Sequence, residues 1–175
     1  MSPNRPAEST AESAAESAAE STDENENVDE TSFQSVTAVG MTFEWRTEGP
    51  HLRGRMTAPT TGWVTVGFNS RDELAGSKLV MGYVSGDRVV VEEHIADPPD
   101  HRPKTELGGH HAISDVTGYE RDGATTIEFL LELDSGDPVD VSLRPGQRYH
   151  LTMAWSHEDD LYHHSARRTA VEITL

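Results

Sequence analysis

The sequence predicts an all-β fold, an antiparallel β-sandwich of roughly eight to eleven strands, from about residue 33 to the C-terminus. Apolar residues recur at every second position in several short stretches, as they do in half-buried strands. Gly, Asp and Pro residues that favour turns separate these stretches. No stretch keeps a helical period long enough for the crossover helices that a parallel sheet needs, which favours antiparallel pairing.

The predicted strands each have an apolar face or an apolar run. In chain order they are VTAVGMTFEWR (36–46), GWVTVGFN (62–69), KLVMGYV (78–84), RVVVEEHI (88–95), RDGATTIEFLLEL (121–133), RYHLTMAWS (148–156) and AVEITL (170–175). The first places Val39, Met41, Phe43 and Trp45 on one face. The third and fourth are joined by SGD and predict a hairpin. Residues 94–118, with three prolines and a Gly-Gly pair, are predicted to form a long loop.

Residues 1–32 differ in character from the rest of the chain. Ala-Glu-Ser recurs every four residues, and the region holds 9 acidic residues and one Arg. A helix here would be polar on all sides and would place like charges four residues apart, which is destabilising. We therefore predict a disordered acidic tether over 1–32, preceding a domain at 33–175.

Charge and composition exclude several classes of function. The formal net charge of −17 argues against binding to nucleic acid or to anionic membrane surfaces. Only 2 of the 14 basic residues are Lys, and an acid-rich, Lys-poor surface suits a protein that works in high salt. The absence of Cys excludes disulfides, Fe–S clusters and thiolate catalysis. No apolar run reaches the length needed to span a bilayer, and no signal peptide is visible.

Five phrases occur in an order that resembles a known family. They are GWVTVGFN, LAGSKLVMGYVSGDRVVVEEH, PPDHRPKTELGGHHAISDV, GATTIEFLLELDSGD and YHLTMAWSHEDDLYHHSARRTAVEITL. The sequence resembles a DOMON domain, the dopamine β-monooxygenase N-terminal type, in its prokaryotic stand-alone form. The resemblance covers about residues 36–175. It implies an immunoglobulin-like sandwich, an extracytoplasmic location and, in many members, a b-type haem used for electron transfer. Other members are related to carbohydrate-binding modules.

The resemblance also implies particular site residues. A late His of the family that ligates haem iron corresponds to His164, with His163 as its neighbour. The family's second ligand, a Met two residues before a Gly, corresponds to Leu74, and the usual Asp after that Gly corresponds to Lys78. Three alternatives follow: Met81 is the second ligand, another His is, or haem is not held in the family's manner.

Other side chains have two interpretations each. Trp63 and Trp155 are interpreted in two ways. They contact a ligand, either by lining a haem slot or by forming a sugar-stacking platform, or they pack in the core. The histidines of the predicted loop are either solvated or form a divalent-metal site with nearby Asp residues; these histidines are His94, His101, His110 and His111. No nucleophile elbow, phosphate loop or paired carboxylate is present, and we therefore predict that the domain is not an enzyme.

The resemblance therefore implies a haem b-binding module that exchanges electrons with a redox partner protein. The alternative is a module that binds a carbohydrate or another small molecule without a metal. A third interpretation is a structural or interaction domain whose ligand pocket has decayed.

Overall fold

The computed structural model describes residues 32–175, and the predicted tether lies outside the described residues except for Ser32. The described residues form eleven β-strands and one short 3-10 helix, η1 (Lys104–Leu107). None of their helical structure is long or apolar enough to cross a membrane. The strands form two antiparallel sheets that pack as a sandwich, which confirms the predicted fold class.

The two sheets differ in size and in the order of their strands. The five-stranded sheet has the spatial order β1 (Gln34–Ala38), β2 (Met41–Glu48), β3 (His51–Ala58), β9 (Ala124–Glu132) and β8 (Ile113–Arg121). The six-stranded sheet has the order β11 (Arg167–Thr174), β10 (Arg148–Trp155), β4 (Val64–Asn69), β5 (Lys78–Ser85), β6 (Arg88–Asp97) and β7 (Asp100–Pro103).

Alternating side chains from the two sheets fill the core between them. In β2, Met41 and Phe43 are fully buried, and the Trp45 ring stacks on Phe43 at 5.3 Å. In β9, Ile127 and Phe129 are also fully buried. Each such side chain contributes about 1.5–3 kcal/mol by leaving water. The predicted inward face of the first strand is confirmed for Met41, Phe43 and Trp45.

The first predicted strand is wrong in its extent, because it is two strands joined by a tight turn. Val39 and Gly40 form the turn with φ of 49° and 78°, and Ala38 pairs with Met41 across it. A β-branched residue such as Val39 rarely adopts positive φ. In the sequence, Val39 also fits the alternation of apolar residues that continues with Met41, Phe43 and Trp45, and it was therefore assigned to the strand. The pattern therefore concealed this turn.

Strand β3 was not predicted, although it lies in the centre of the five-stranded sheet. Its alternation is broken by Gly54, where a larger residue would be expected. A Cβ atom at Gly54 would lie 2.5 Å from Cζ of Phe129. The ring of the neighbouring strand thus occupies the place of the missing side chain.

The predicted long loop at 94–118 is also wrong for most of its length. Strand β6 continues to Asp97, Pro98-Pro99 forms the connection, and β7 pairs back with Asp97 opposite Asp100. Pro98 and Pro99 occupy the connection, and Pro103 is the last residue of β7 at the edge of the sheet, a place where proline is tolerated. Helix η1 follows, and β8 begins at Ile113.

The six-stranded sheet is apolar on both faces. Every residue of β4 is buried: Val64 and Val66 face the core between the sheets, whereas Thr65 faces outward. The outward face has its own apolar cluster, which consists of Trp63, Leu79, Met81, Ala96, Ala154 and Leu161, with Leu74 and Tyr83 packed against it. A strand that is buried on both faces needs a cover on each side. Part of the outer cover is the connection from β10 to β11.

Candidate functional site

A pocket opens on the outer face of the six-stranded sheet, and we call it the outer pocket. Its floor consists of outward side chains of the sheet and its edge: Trp63, Thr65, Leu79, Met81, Thr152 and Ala154. Its rim includes Leu74, His101, Tyr162, His163, His164 and Arg168. An apolar floor with a few polar side chains around it is the usual form of a small-molecule site.

The segment 156–166, which we call the covering segment, holds two adjacent histidines over this floor. The indole Nε1 of Trp63 donates a hydrogen bond to the carbonyl oxygen of His163 at 3.2 Å. The hydroxyl of Ser156 donates to the carbonyl oxygen of His164 at 3.1 Å. The two backbone carbonyls are thereby fixed by groups of the sheet and its edge, and both histidines are exposed and line the pocket rim.

Close backbone approach fixes the start of the covering segment. A Cβ atom at Gly62 would lie 2.5 Å from the carbonyl oxygen of Ser156. The amide of Trp63 donates to the carbonyl of Glu158 at 2.9 Å, and the amide of Ser156 donates to the carbonyl of Trp63 at 2.9 Å. Only glycine allows the two chain segments to lie this close.

The structure brings five of the six predicted site residues to the outer pocket. His163, His164, Trp63, Met81 and Leu74 all line it, although they come from four separate parts of the chain. Met81 is 2% exposed and lies on the outer face of β5, in step with Leu79 as its spacing indicated. Leu74, at the position of the family's Met, lies on the same rim.

Trp155 is not brought to this pocket. Its ring packs in the core between the sheets, and its indole Nε1 donates to the carbonyl of Val39 at 3.0 Å. Trp155 pairs with Val64, the residue that follows Trp63. Because successive side chains alternate between the two faces of a sheet, Trp155 and Trp63 lie on opposite faces. For Trp155 the core-packing interpretation matches this position.

Sequence reasoning missed His101 and Tyr162 as site residues. The two rings are stacked at 5.1 Å with an interplanar angle of 7°. His101 also lies 2.8 Å, Nδ1 to Nδ1, from His94, which is fully buried and is not the solvated loop residue that was expected. The signal that would have found the histidine pair is the Pro98-Pro99 hairpin, which places His101 opposite Ala96 and diagonal to His94.

Burial and nearby charges shift the pKa values of His101 and Tyr162. Burial lowers the pKa of His101 below its ordinary value, and the nearby His94 acts in the same direction. Burial raises the pKa of Tyr162, and the carboxylates of Glu106, Glu92 and Asp160 add to that effect. The His101 imidazole is therefore favoured in its neutral form.

The other histidines of the predicted loop do not form a metal site. His110 bonds Asp137, with Nδ1 to Oδ1 at 3.0 Å, while Asp115 pairs with Arg53 at 2.6 Å on a different surface. Within residues 32–175, no group of three or more His, Cys, Asp or Glu side chains is placed to hold a metal ion.

The outer pocket contains side chains of the chemical types that bind haem iron. His imidazole and Met thioether are both axial ligands of b- and c-type haem proteins, and His164 and Met81 line the same apolar pocket. The guanidinium of Arg168 is at the rim, and the described residues give it no ion-pair partner. A free guanidinium suits the carboxylates of a ligand.

Comparisons with known proteins agree with this fold. The cytochrome b domain of pyranose dehydrogenase from Coprinopsis cinerea has a TM-score of 0.60 at 11% identity, covering 81% of this chain and 81% of that one. The cytochrome domain of cellobiose dehydrogenase from Myriococcum thermophilum has a TM-score of 0.52 at 11% identity, covering 82% and 81%. At this identity the likeness shows a shared fold. No curated protein sequence matches the chain.

A family model provides the assignment. Residues 38–156 match the model of the DOMON domain, which is more than half of the chain. The matched range includes Trp63, Leu74, Met81 and His101, and it ends where the covering segment begins. The chain belongs to the DOMON domain family.

Proposed function

We propose that this domain binds a b-type haem in the outer pocket and transfers electrons to or from a partner protein. The observation that supports it most is the convergence of His164, Met81 and Leu74 on one pocket with an apolar floor. Those are the positions at which the family resemblance implies ligands or their replacement. The cytochrome domains with the same fold add support of a general kind.

Each residue has a role in this proposal. His164 would hold the haem iron through its imidazole, and Met81, on the floor, would take the place of the Met that the family has at Leu74. Trp63 fixes the covering segment through the His163 carbonyl and excludes water from the floor. A bound haem supplies a one-electron couple whose potential depends on its axial ligands and its burial.

The covering segment moves outward when the ligand enters. The cavity has a volume of about 130 Å³, whereas sites for drug-sized ligands are typically about 300–1,000 Å³. The floor belongs to a paired sheet and resists movement, while the covering segment is a connection with exposed side chains. Ligand entry therefore displaces the covering segment and leaves the sheet in place.

Arg168 and the partner complete the proposal. Arg168 pairs with a carboxylate of the haem at the pocket rim. The partner is a separate redox protein or a separate catalytic domain, because the domain itself has no catalytic constellation. An extracytoplasmic location is part of the same proposal and rests on the family resemblance.

Titration of the full chain with hemin tests this function. We expect a saturable Soret band and, after reduction with dithionite, sharp α and β bands of a six-coordinate low-spin haem. A broad spectrum like that of free hemin, with no saturation, would contradict haem binding. Tryptophan fluorescence with polysaccharides would then test the alternative, because Trp63 lies on the pocket floor.

The variant Leu74→Met tests the replacement of the family's ligand. We expect the reduced spectrum to remain low-spin, because Leu74 lies on the same rim and a thioether there competes with that of Met81. Leu and Met are similar in volume, and the fold should lose less than about 1.5 kcal/mol. In a Met81→Leu background the same substitution should restore a low-spin spectrum, and a failure to restore it would show that position 74 does not reach the iron.

A further inference from the structure

Strand β11 ends the six-stranded sheet with an open edge. It is eight residues long and contains neither a proline nor a bulge. The other edge strands of the two sheets are protected in ways that are common in natural proteins. Strand β1 has five residues, β7 has four and ends at Pro103, and a bulge interrupts β8 between Ser114 and Thr117. A long open edge such as that of β11 is a template for a strand of another chain.

The hydrogen-bond pattern shows which backbone groups of β11 face this open edge. The amide of Leu175 donates to the carbonyl oxygen of Gln147 at 3.0 Å, in the same register as the pairs of β10 and β11. The odd-numbered residues of β11 therefore bond β10, and the N–H and C=O groups of the even-numbered residues point away from it. The even-numbered residues are all exposed, and their backbone groups have no hydrogen-bond partner within the described part of the chain; they are Arg168, Ala170, Glu172 and Thr174.

We propose that β11 pairs antiparallel with β11 of a second copy of this chain, with Ala170 opposite Ala170 at a twofold axis. In this register, Arg168 of each copy lies opposite Glu172 of the other. Outward-facing backbone groups then meet each other along the whole contact, so that each of these three residues donates and accepts one backbone hydrogen bond across the interface. The proposal is independent of haem binding.

The charged side chains of β11 favour this register over its neighbours. Arg168 has no ion-pair partner in residues 32–175. Glu172 uses Oε1 to pair with Nη1 of Arg148 at 2.9 Å, and its Oε2 has no partner in the same range. Opposite charges directly across a strand pair stabilise it, and like charges destabilise it. Centring the contact on Arg168 or on Glu172 would place like charges opposite each other, whereas centring it on Ala170 forms two opposite-charge pairs.

The pairing leaves the core and the outer pocket of each copy intact. Val171 and Ile173 point inward and pack against the core, and Arg168 and Ala170 lie on the outer face. A twofold axis between antiparallel strands is perpendicular to the sheet, so both outer pockets lie on one face of a continuous sheet. Arg168 lines its own outer pocket. Its guanidinium has five N–H donors, enough for a carboxylate of the other copy and one of a bound ligand.

The net charge of −17 on each copy opposes association over long distances. Strand β11 itself carries two Arg and one Glu, so the contact surface does not share the acidic excess. Salt screens the repulsion between distant carboxylates more than the contact between opposed side chains. We therefore expect a dimer that forms more readily in about 0.5 M KCl than in dilute buffer.

Sedimentation equilibrium of the full chain without haem, in the same KCl buffer, tests the proposal. We expect a reversible equilibrium between monomer and dimer. A chain that stays monomeric up to millimolar concentration would overturn the proposal.

Two charge reversals test the register. Arg168→Glu places two carboxylates opposite each other, and Glu172→Arg places two guanidinium groups there, so each variant alone should raise the dissociation constant of the dimer about tenfold. An equimolar mixture of the two variants should associate as the wild type does, because each supplies the charge that the other lacks. Arg121→Glu makes the same change on the edge strand β8 and should have no effect. Wild-type association of Arg168→Glu, or no association in the mixture, would overturn the proposal.

Amide exchange followed by NMR identifies the strand edge that is covered. We expect the amides of Arg168, Ala170 and Glu172 to exchange more slowly as the protein concentration rises. The amides of Thr169 and Val171 bond β10 in each copy and should not respond. A dimer in which the first three amides exchange at the rate of the monomer would overturn the proposal. Slow exchange of these amides in a monomeric protein would overturn it as well, because another part of the same chain would then cover the edge.

Discussion

Nζ of Lys78 lies 2.9 Å from Oδ2 of Asp140, and both side chains are excluded from water. The other lysine of the chain, Lys104, is also fully buried and lies 3.2 Å from the same oxygen and 3.1 Å from Oε1 of Glu93. The two lysines and the carboxylates of Asp140 and Glu93 form a buried network, which Asp137 joins through Lys104 at 3.5 Å. Where the family resemblance implies an Asp at position 78, this chain has a cation with its own buried partners.

Removing one member of this network should destabilise the fold strongly. We expect Lys78→Met to lower the free energy of unfolding by about 3–5 kcal/mol, because it leaves two buried carboxylates, those of Asp140 and Glu93, to share the single ammonium of Lys104. The double variant Lys78→Met/Asp140→Leu should recover part of the loss. Urea unfolding followed by circular dichroism measures both.

An exposed ion pair provides the matched control for the buried network. Nη1 of Arg148 and Oε1 of Glu172 lie 2.9 Å apart on the surface, and Arg148→Met should destabilise the fold far less than Lys78→Met does. A loss in Lys78→Met no larger than in Arg148→Met would contradict the structural role of the buried pair. The same result would show that water reaches Asp140.

The fold could be predicted from local patterns where side chains alternate without interruption. Strand β9 has such a pattern, whereas β3 was hidden by Gly54, whose missing side chain is replaced by the Phe129 ring of another strand. The turn at Val39 was hidden for the opposite reason, since an apolar residue stands at a turn position. In each case a neighbouring element, and not the local sequence, decides the conformation.

The site could be predicted only in part for a related reason. Both His164 and Met81 became candidates through the family resemblance, Met81 as a substitute for the Met that is absent at Leu74. The contact of His101 with Tyr162 joins positions 61 residues apart, and no local pattern reports it. The contact depends on the hairpin at Pro98-Pro99, and this hairpin was predicted to be a loop because of its prolines.

Two methionines of similar burial differ in their predicted effect on haem. Met81 lies on the pocket floor, whereas Met153 lies in the core between the sheets. We expect Met81→Leu to lower the reduction potential of the bound haem and to weaken its low-spin spectrum, because a Met ligand raises the potential. Met153→Leu should leave both unchanged. Potentiometry with optical detection measures the difference, and equal behaviour of the two variants would exclude Met81 as a ligand.

Two histidines should have pKa values on opposite sides of the ordinary value for histidine. Hydrogen bonds to Asp137 and Glu132 raise the pKa of His110, whereas burial lowers that of His101. Protonated His110 therefore stabilises the fold at pH below about 6.5, whereas His101, which the fold keeps neutral, opposes folding as the pH falls below that value. Two-dimensional NMR of the imidazole nitrogens gives both midpoints. A His101 midpoint above that of His110 would contradict the structure.

High salt should stabilise this protein. With a formal net charge of −17, repulsion between carboxylates opposes the compact state, and screening shortens its range from about 10 Å at 0.1 M salt to about 3 Å at 1 M. We expect the unfolding midpoint temperature to rise from dilute buffer to molar KCl by more than it does in sucrose. Equal or greater stability in dilute buffer would refute adaptation to salt.

The central claim is that His164 binds the haem iron, and chemical rescue of a variant tests it most directly. In His164→Gly loaded with hemin, we expect the low-spin spectrum to be lost and then restored by added imidazole, which occupies the place of the missing ring. His111→Gly, an exposed histidine outside the outer pocket, is the control. A His164→Gly spectrum identical to that of the wild type without imidazole would contradict the claim.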